Sequence, residues 1–236
     1  MIKLETHCHT GASSCADCPQ EVIAENLKAA GYGGAVITNH LNCCFCDYEG
    51  DTDKQKIKYY LSVYESTRKI FEIKGLKTFF AAEVTAYDPV KHMDFIIYGL
   101  DEKFLFDHKP LMYYTQEELF KMCDERGYFM YKCHPFRTGE CAGEPKFMHG
   151  AESFNGHYHH ANDNELAEKF CEENGLIKMS GTDYHHADQP FTAGIWLPDD
   201  IKDEVELTEF VFKNDFTRIE EREKYMTYYK KYKGII

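Results

Sequence analysis

What most constrains this chain is where its metal-capable side chains fall. Apolar runs of strand type recur along it, and most end in a histidine or an acid. They read "HCH" at 7–9, "TNH" at 38–40, "AAEVT" at 81–85, "CHPF" at 133–136 and "SGTDYHH" at 180–186. Twelve histidines in 236 residues can produce one such pair by accident. They do not easily put a ligand at the end of successive strands. In parallel α/β barrels that end of the strands forms the active-site face.

The segments between the strands are helical in pattern. Strands are expected at 2–9, 33–40, 77–87, 94–100, 128–133, 149–155, 176–181 and 194–197. Helices are expected at 19–31, with Pro19 in its first turn and Gly31 at its end, at 53–74 before Gly75, at 115–126 and at 162–174. The charged, tyrosine-rich tail at 203–233 is expected to be helical. Alternating apolar strands and helices imply parallel β-structure covered by helices. About seven strands fit a closed or nearly closed barrel, and an open doubly wound sheet is the alternative. No GxGxxG or Walker sequence follows a strand, which removes the commonest nucleotide-binding readings. No linker or repeat interrupts the pattern, so the expectation is one α/β domain over 1–236. Its motifs lie within 1–195, and 196–236 form a helical completion.

Composition narrows the partners. Hydrophobic residues make up 43%, enough for a sizeable core. The formal net charge of −13 argues against a nucleic-acid-binding surface and against an anionic membrane. Met1 leads straight into "IKLETHCH", with no basic head and apolar core of leader type. No stretch approaches the ~20 apolar residues of a membrane helix. The expected location is cytoplasmic, and the 10 cysteines are expected to be thiols, ligands or core residues rather than disulfides.

Strand periodicity sharpens the metal reading. Side chains at i and i+2 share a face, so His7 and His9 present two nitrogens to one side and Cys8 faces the other. Asp183 and His185 repeat the device. Glu83, a carboxylate in an apolar strand, needs a partner and can bridge two metals. Such nitrogen and carboxylate donors suit Zn, Fe or Mn.

The whole set resembles the PHP (polymerase and histidinol phosphatase) superfamily of metal-dependent phosphoesterases. Its hallmarks stand here as "HCHT", "TNH", the glutamate of "AAEVT", the histidine of "CHPF" and "SGTDYH", in family order over residues 1 to about 195. The resemblance implies a distorted (β/α)7 TIM-like barrel with two or three divalent metal ions at its mouth. It implies that His7, His9, Glu83 and Asp183 hold one metal, that Glu83 and His134 share a second, and that His40 and His185 belong to a third. The sequence departs from the family pattern twice. Where many members end a strand in histidine, this chain has "IIYGLD", with Asp101 nearest and His92 a few residues before it. Where some members have a further histidine, it has Cys15, a good zinc ligand, with Asp17 as its competitor.

The chemistry expected is hydrolysis of a phosphoester in a small phosphorylated substrate. Bound metals lower the pKa of water toward ~7 and can hold both nucleophile and phosphoryl oxygen. Arg137 is the candidate phosphate clamp. His185, or a water on the metal, is the candidate proton donor to the leaving alkoxide. Asn155, His157, His159 and His160 of "ESFNGHYHH" are expected to shape the pocket. The thiols Cys15 and Cys18 and the group Cys43, Cys44 and Cys46 are expected near one another at the mouth. An amidohydrolase-type C–N hydrolase and a non-catalytic metal-binding regulatory barrel are the rival readings.

Overall fold

The computed structural model describes residues 1–11 and 15–236. The strands are β1 (Ile2–Cys8), β2 (Tyr32–Ile37), β3 (His40–Leu41), β4 (Lys77–Thr85), β5 (Asp94–Tyr98), β6 (Phe129–Lys132), β7 (Gly150–Asn155), β8 (Ile177–Gly181), β9 (Ala193–Leu197) and β10 (Arg218–Glu220). The helices are α1 (Gln20–Ala29), α2 (Asp53–Ile73), α3 (Glu102–Asp107), α4 (Gln116–Arg126), α5 (Asn164–Asn174), α6 (Glu204–Phe212) and α7 (Arg222–Tyr232). The sheet runs β10-β9-β1-β2-β4-β5-β6-β7-β8, with β3 on β4. Its β8 end closes onto β1 where Cys8 bridges Tyr184 in parallel, His9 N–H donating to Tyr184 O at 2.9 Å and Tyr184 N–H to His7 O at 3.1 Å. The result is the nearly closed α/β barrel expected from the sequence.

Local chemistry explains the main helices. Thr52 with Gln55 and Thr115 with Glu118 form capping boxes that start α2 and α4. Gly127, in the left-handed region at φ 70°, ends α4. The barrel interior is filled by alternate residues of several strands: Leu4, Val36, Phe79, Ala81, Ile96, Tyr98, Phe129, Tyr131 and Met179. Burying each large side chain contributes roughly 1.5–3 kcal/mol. Tyr98 and Tyr131 both donate to Thr6 O, at 2.9 and 3.2 Å, and so brace β1 from within.

Two expectations are corrected. The sheet is not all parallel: β5 lies antiparallel to both β4 and β6, and β9 antiparallel to β1. Only the residues from Ala86 to Met93 join β4 to β5, too few for the crossover that a parallel pair requires. The tail is not helical throughout, because β10 interrupts it and pairs with β9.

Candidate metal centre

Most expected ligands converge at one end of the barrel. β1 delivers His7 and His9, both fully buried. An irregularity in the β1–β2 register between Glu5 and Cys8 lets the strand change phase, so Cys8 turns into the outer core as expected. Glu83 follows the interior residues Phe79 and Ala81 along β4, two residues at a time. His134 and Asp183 sit just past β6 and β8 with φ of 33° and 54°. Left-handed backbone at non-glycine residues costs about 1–3 kcal/mol and gathers at functional sites. Gly181, which ends β8, has no room for a side chain: a Cβ would come within 2.6 Å of His7 Cβ and 2.7 Å of Glu152 Oε1.

Glu83 is the hub. Its Oε2 lies 2.9 Å from His40 Nδ1, 3.1 Å from His9 Nε2 and 3.4 Å from His7 Nε2. Its Oε1 lies 3.1 Å from His134 Nε2. Asp183 Oδ1 completes the group at 3.2 Å from His7 Nε2 and 3.4 Å from His9 Nε2. His7, His9, Glu83 and Asp183 thus offer four mutually close donor atoms, all buried. His9, His40 and His185 form a second such group, and Glu83, Cys133 and His134 a third. Glu83 Oε2 has three nitrogens around it yet no well-aligned hydrogen bond. That is the arrangement of a cation cage rather than of an ordinary buried carboxylate, which is satisfied by donors.

Charge follows the same logic. Burial pushes the Glu83 and Asp183 carboxyls up, but neighbouring histidines, led by His40 for Glu83 and His7 for Asp183, hold both well below the usual range. Burial pushes His7 and His40 down, but the carboxylates around them carry both well above the usual imidazole value. His9, buried and beside His185 and His40, falls to about 4. The centre therefore draws positive charge inward, and divalent cations meet that demand with the same donor set.

Cys15 and Asp17 separate in role. Burial raises the Cys15 thiol, but hydrogen bonds with His185 and His40 outweigh it and bring it down to about 6. The Asp17 carboxylate turns away to His186 Nδ1, at 3.0 Å. Arg137 lies at the lip. Its Nε donates to Asn162 Oδ1 at 3.0 Å, and its Nη2 donates to Asn155 Oδ1 at 3.2 Å and to Asp183 Oδ2. Cys15, His40, Glu83, His134, Arg137, His157, His159, His160, Asp183 and His185 share one cavity of about 200 Å³. Of the other thiols, Cys18 is buried against Tyr184 OH, and Cys46 donates back to Cys43 O within its own turn.

Three participants were not read from the sequence. Glu152, fully buried on β7, takes a hydrogen from His7 Nδ1 at 2.8 Å, from His134 N–H at 2.8 Å and from Asn155 Nδ2 at 2.8 Å. Its signal, a carboxylate in an apolar strand, is the one that marked Glu83. Asp94 also lines the cavity, paired with His92 Nε2 at 2.9 Å. Glu5 accepts from the backbone of Thr6, His7 and Thr182, and burial raises its pKa to about 7. Asp101, nearest the missing family position in sequence, caps α3 through Phe104 N–H instead and accepts from Tyr128 OH.

Comparison with known proteins agrees with this architecture. No family model and no curated protein matches the chain. Solved structures do. PsfC from Pseudomonas syringae matches with a TM-score of 0.68 at 13% identity, covering 100% of this chain and 99% of that one. A two-domain protein from Bacteroides vulgatus, containing a predicted PHP-like metal-dependent phosphoesterase, matches with a TM-score of 0.65 at 16% identity, over 98% of this chain and 69% of that one. A lesion-specific endonuclease from Pyrococcus furiosus matches with a TM-score of 0.60 at 16% identity, over 93% of this chain and 57% of that one. The chain therefore has the barrel fold of PHP-like metal-dependent phosphoesterases, as its motifs implied. Among the described residues no helix is long and apolar enough to cross a membrane.

Proposed function

We propose that this protein hydrolyses phosphoesters with the help of two or three divalent metal ions, Zn, Mn or Fe, and that its substrate is a small phosphorylated molecule. One observation carries the reading: three imidazole nitrogens converge within 3.4 Å of a single buried oxygen, Glu83 Oε2. His7, His9, Glu83 and Asp183 would hold one metal. Glu83 and His134 would hold a second, with Asp94 the nearby carboxylate. His40, His185 and Cys15 would hold a third, for which thiolate favours zinc. Bound there, the metals supply a nucleophile at neutral pH and positive charge for the phosphoryl oxygens.

The chain's own residues do the rest. Glu152 accepts the Nδ1 hydrogen of His7 and so keeps the Nε2 lone pair turned inward. Arg137 is locked through Nε and Nη2. Its Nη1 makes no hydrogen bond among the described residues, which leaves two N–H groups to bind phosphoryl oxygens. With only two metals bound and the third position empty, His185, on the cavity wall, would be free to pass a proton to the leaving alkoxide. The small cavity and the net charge of −13 favour a compact substrate over a polyanion.

The test joins metal analysis to activity. Protein purified without chelator should hold at least two transition-metal ions, and it should slowly cleave a generic aryl phosphate. Asp183→Ala and His9→Ala should abolish cleavage while keeping the fold. One metal or none after reconstitution with Zn, Mn and Fe would sink the multinuclear site. Cleavage of amides but not phosphoesters would transfer the protein to the amidohydrolase class. Turnover of oligonucleotides alone would replace the small substrate with a nucleic acid.

A further inference from the structure

At the edge of the acidic centre lies a cluster that the hydrolytic reading does not use. His157 and His159 stand in the turn after β7, and His186 in the turn after β8. Their ligand atoms all lie within 4.8 Å of one another. The rings of His157 and His159 are 5.2 Å apart, those of His159 and His186 5.4 Å, and those of His157 and His186 6.4 Å. His157 is only 4% exposed, whereas the other two reach solvent.

Each ring is held in place. Asp17 Oδ1, 3.0 Å from His186 Nδ1, accepts that nitrogen's hydrogen and leaves the Nε2 lone pair free. Such a carboxylate behind a histidine is how metal-ligating imidazoles are oriented. His159 stacks on Tyr232 of α7 at 4.3 Å and meets Tyr158 edge-on at 4.3 Å, so its ring faces the other two rather than sweeping through water. His157 Nδ1 accepts a long 3.3 Å contact from His159 N–H; coordination through its Nε2 would give that contact up.

We propose that His157, His159 and His186 form a separate metal site on the rim of the cavity, taking one borderline divalent cation such as Zn²⁺, with Asp17 as the residue that orients His186. The donor set is all imidazole, which suits Zn, Cu or Ni and not Mg or Ca. It borders the centre at His157, which also groups with Asp183 and His185, but its other two histidines stand clear of the centre's carboxylates. Its three histidines line the mouth of the same cavity, so a cation there adds positive charge on the path of an anionic substrate. The inference does not depend on the hydrolytic reading.

The experiment counts metals in untagged protein loaded with Zn²⁺, and records the visible absorption of the Co²⁺-loaded form. His159→Ala/His186→Ala should lose one equivalent and its share of the Co²⁺ spectrum, and keep the ions of the centre. His9→Ala should do the reverse, keeping the rim ion. Asp17→Asn, at a largely exposed side chain whose loss does not threaten the fold, should weaken the rim ion alone by about 10- to 100-fold. A double variant with the full wild-type count and spectrum overturns the site. So does Asp17→Asn with unchanged affinity, as far as the role of Asp17 is concerned.

Discussion

At the residue scale, what stands behind a ligand matters as much as the ligand. Glu152 touches His7, His134 and Asn155 at once and is fully buried. Glu152→Gln keeps the shape but removes the charge that polarises His7. Metal affinity, measured by competition with a chelator, should fall about 10- to 100-fold. Arg137, in the proposed reading, acts on the substrate side. Its loss should remove roughly 1.5–3 kcal/mol of charge-assisted hydrogen bonding, so Arg137→Ala should lower kcat/KM about 10- to 100-fold with metal content unchanged. Wild-type kinetics in that variant would leave the arginine a mere tether for Asp183. The convergence of His7, His9, Glu83 and Asp183 was legible, because strand periodicity and a buried acid in "AAEVT" both point inward. Glu152 carries the same mark in "AESFN", but there the neighbouring histidines drew the eye.

At the element scale, the direction of one strand decides which acid meets the site. β5 runs against β4 and β6, so its first residue, not its last, lies at the mouth. The family pattern pointed to the strand's last residues and so to Asp101, which sits at the opposite end of β5 from the mouth. The clue was present: no helix separates 77–87 from 94–100, and a hairpin-length link cannot make a parallel pair. Two substitutions separate the readings. Asp94→Asn should reduce the metal count or affinity in elemental analysis. Asp101→Ala should leave metals untouched and cost about 1 kcal/mol in denaturant unfolding, as loss of a helix N-cap does. β10 was illegible for another reason. It has three residues, Arg218–Glu220, and no apolar alternation long enough to register; its pairing partner β9 defines it.

At the scale of the whole molecule, long-range ion pairs tie the tail to the barrel. Glu168 on α5 accepts from Arg218 of β10, at 3.0 and 3.2 Å, and from Lys178 of β8 at 2.6 Å. Burial raises the Glu168 carboxyl, but the hydrogen bonds of Arg218 and Lys178 bring it down to about 2. A carboxyl with a depressed folded pKa contributes stability that is present above its unfolded value and lost as pH falls through its folded value. The stability gap between wild type and Glu168→Gln should therefore be full above about pH 4.5 and close by about pH 2. Urea titrations at stepped pH measure it, and a gap that does not change with pH would remove Glu168 from the account.

The closure of β8 onto β1 has a mechanical consequence. The backbone exchange between His7, His9 and Tyr184 stitches that seam near the mouth, beside Thr182 N–H on Glu5 Oε1, and the proposed ligands flank it, His7 and His9 on one lip, Asp183 and His185 on the other. A cation gripped by both lips, as proposed above, would be a buckle. Unfastening the barrel and releasing the ion become one event, so the amide protons of His9 and Tyr184 should trade with deuterium slowly when the buckle is closed and quickly when a chelator opens it, while those deep in β4 stay indifferent.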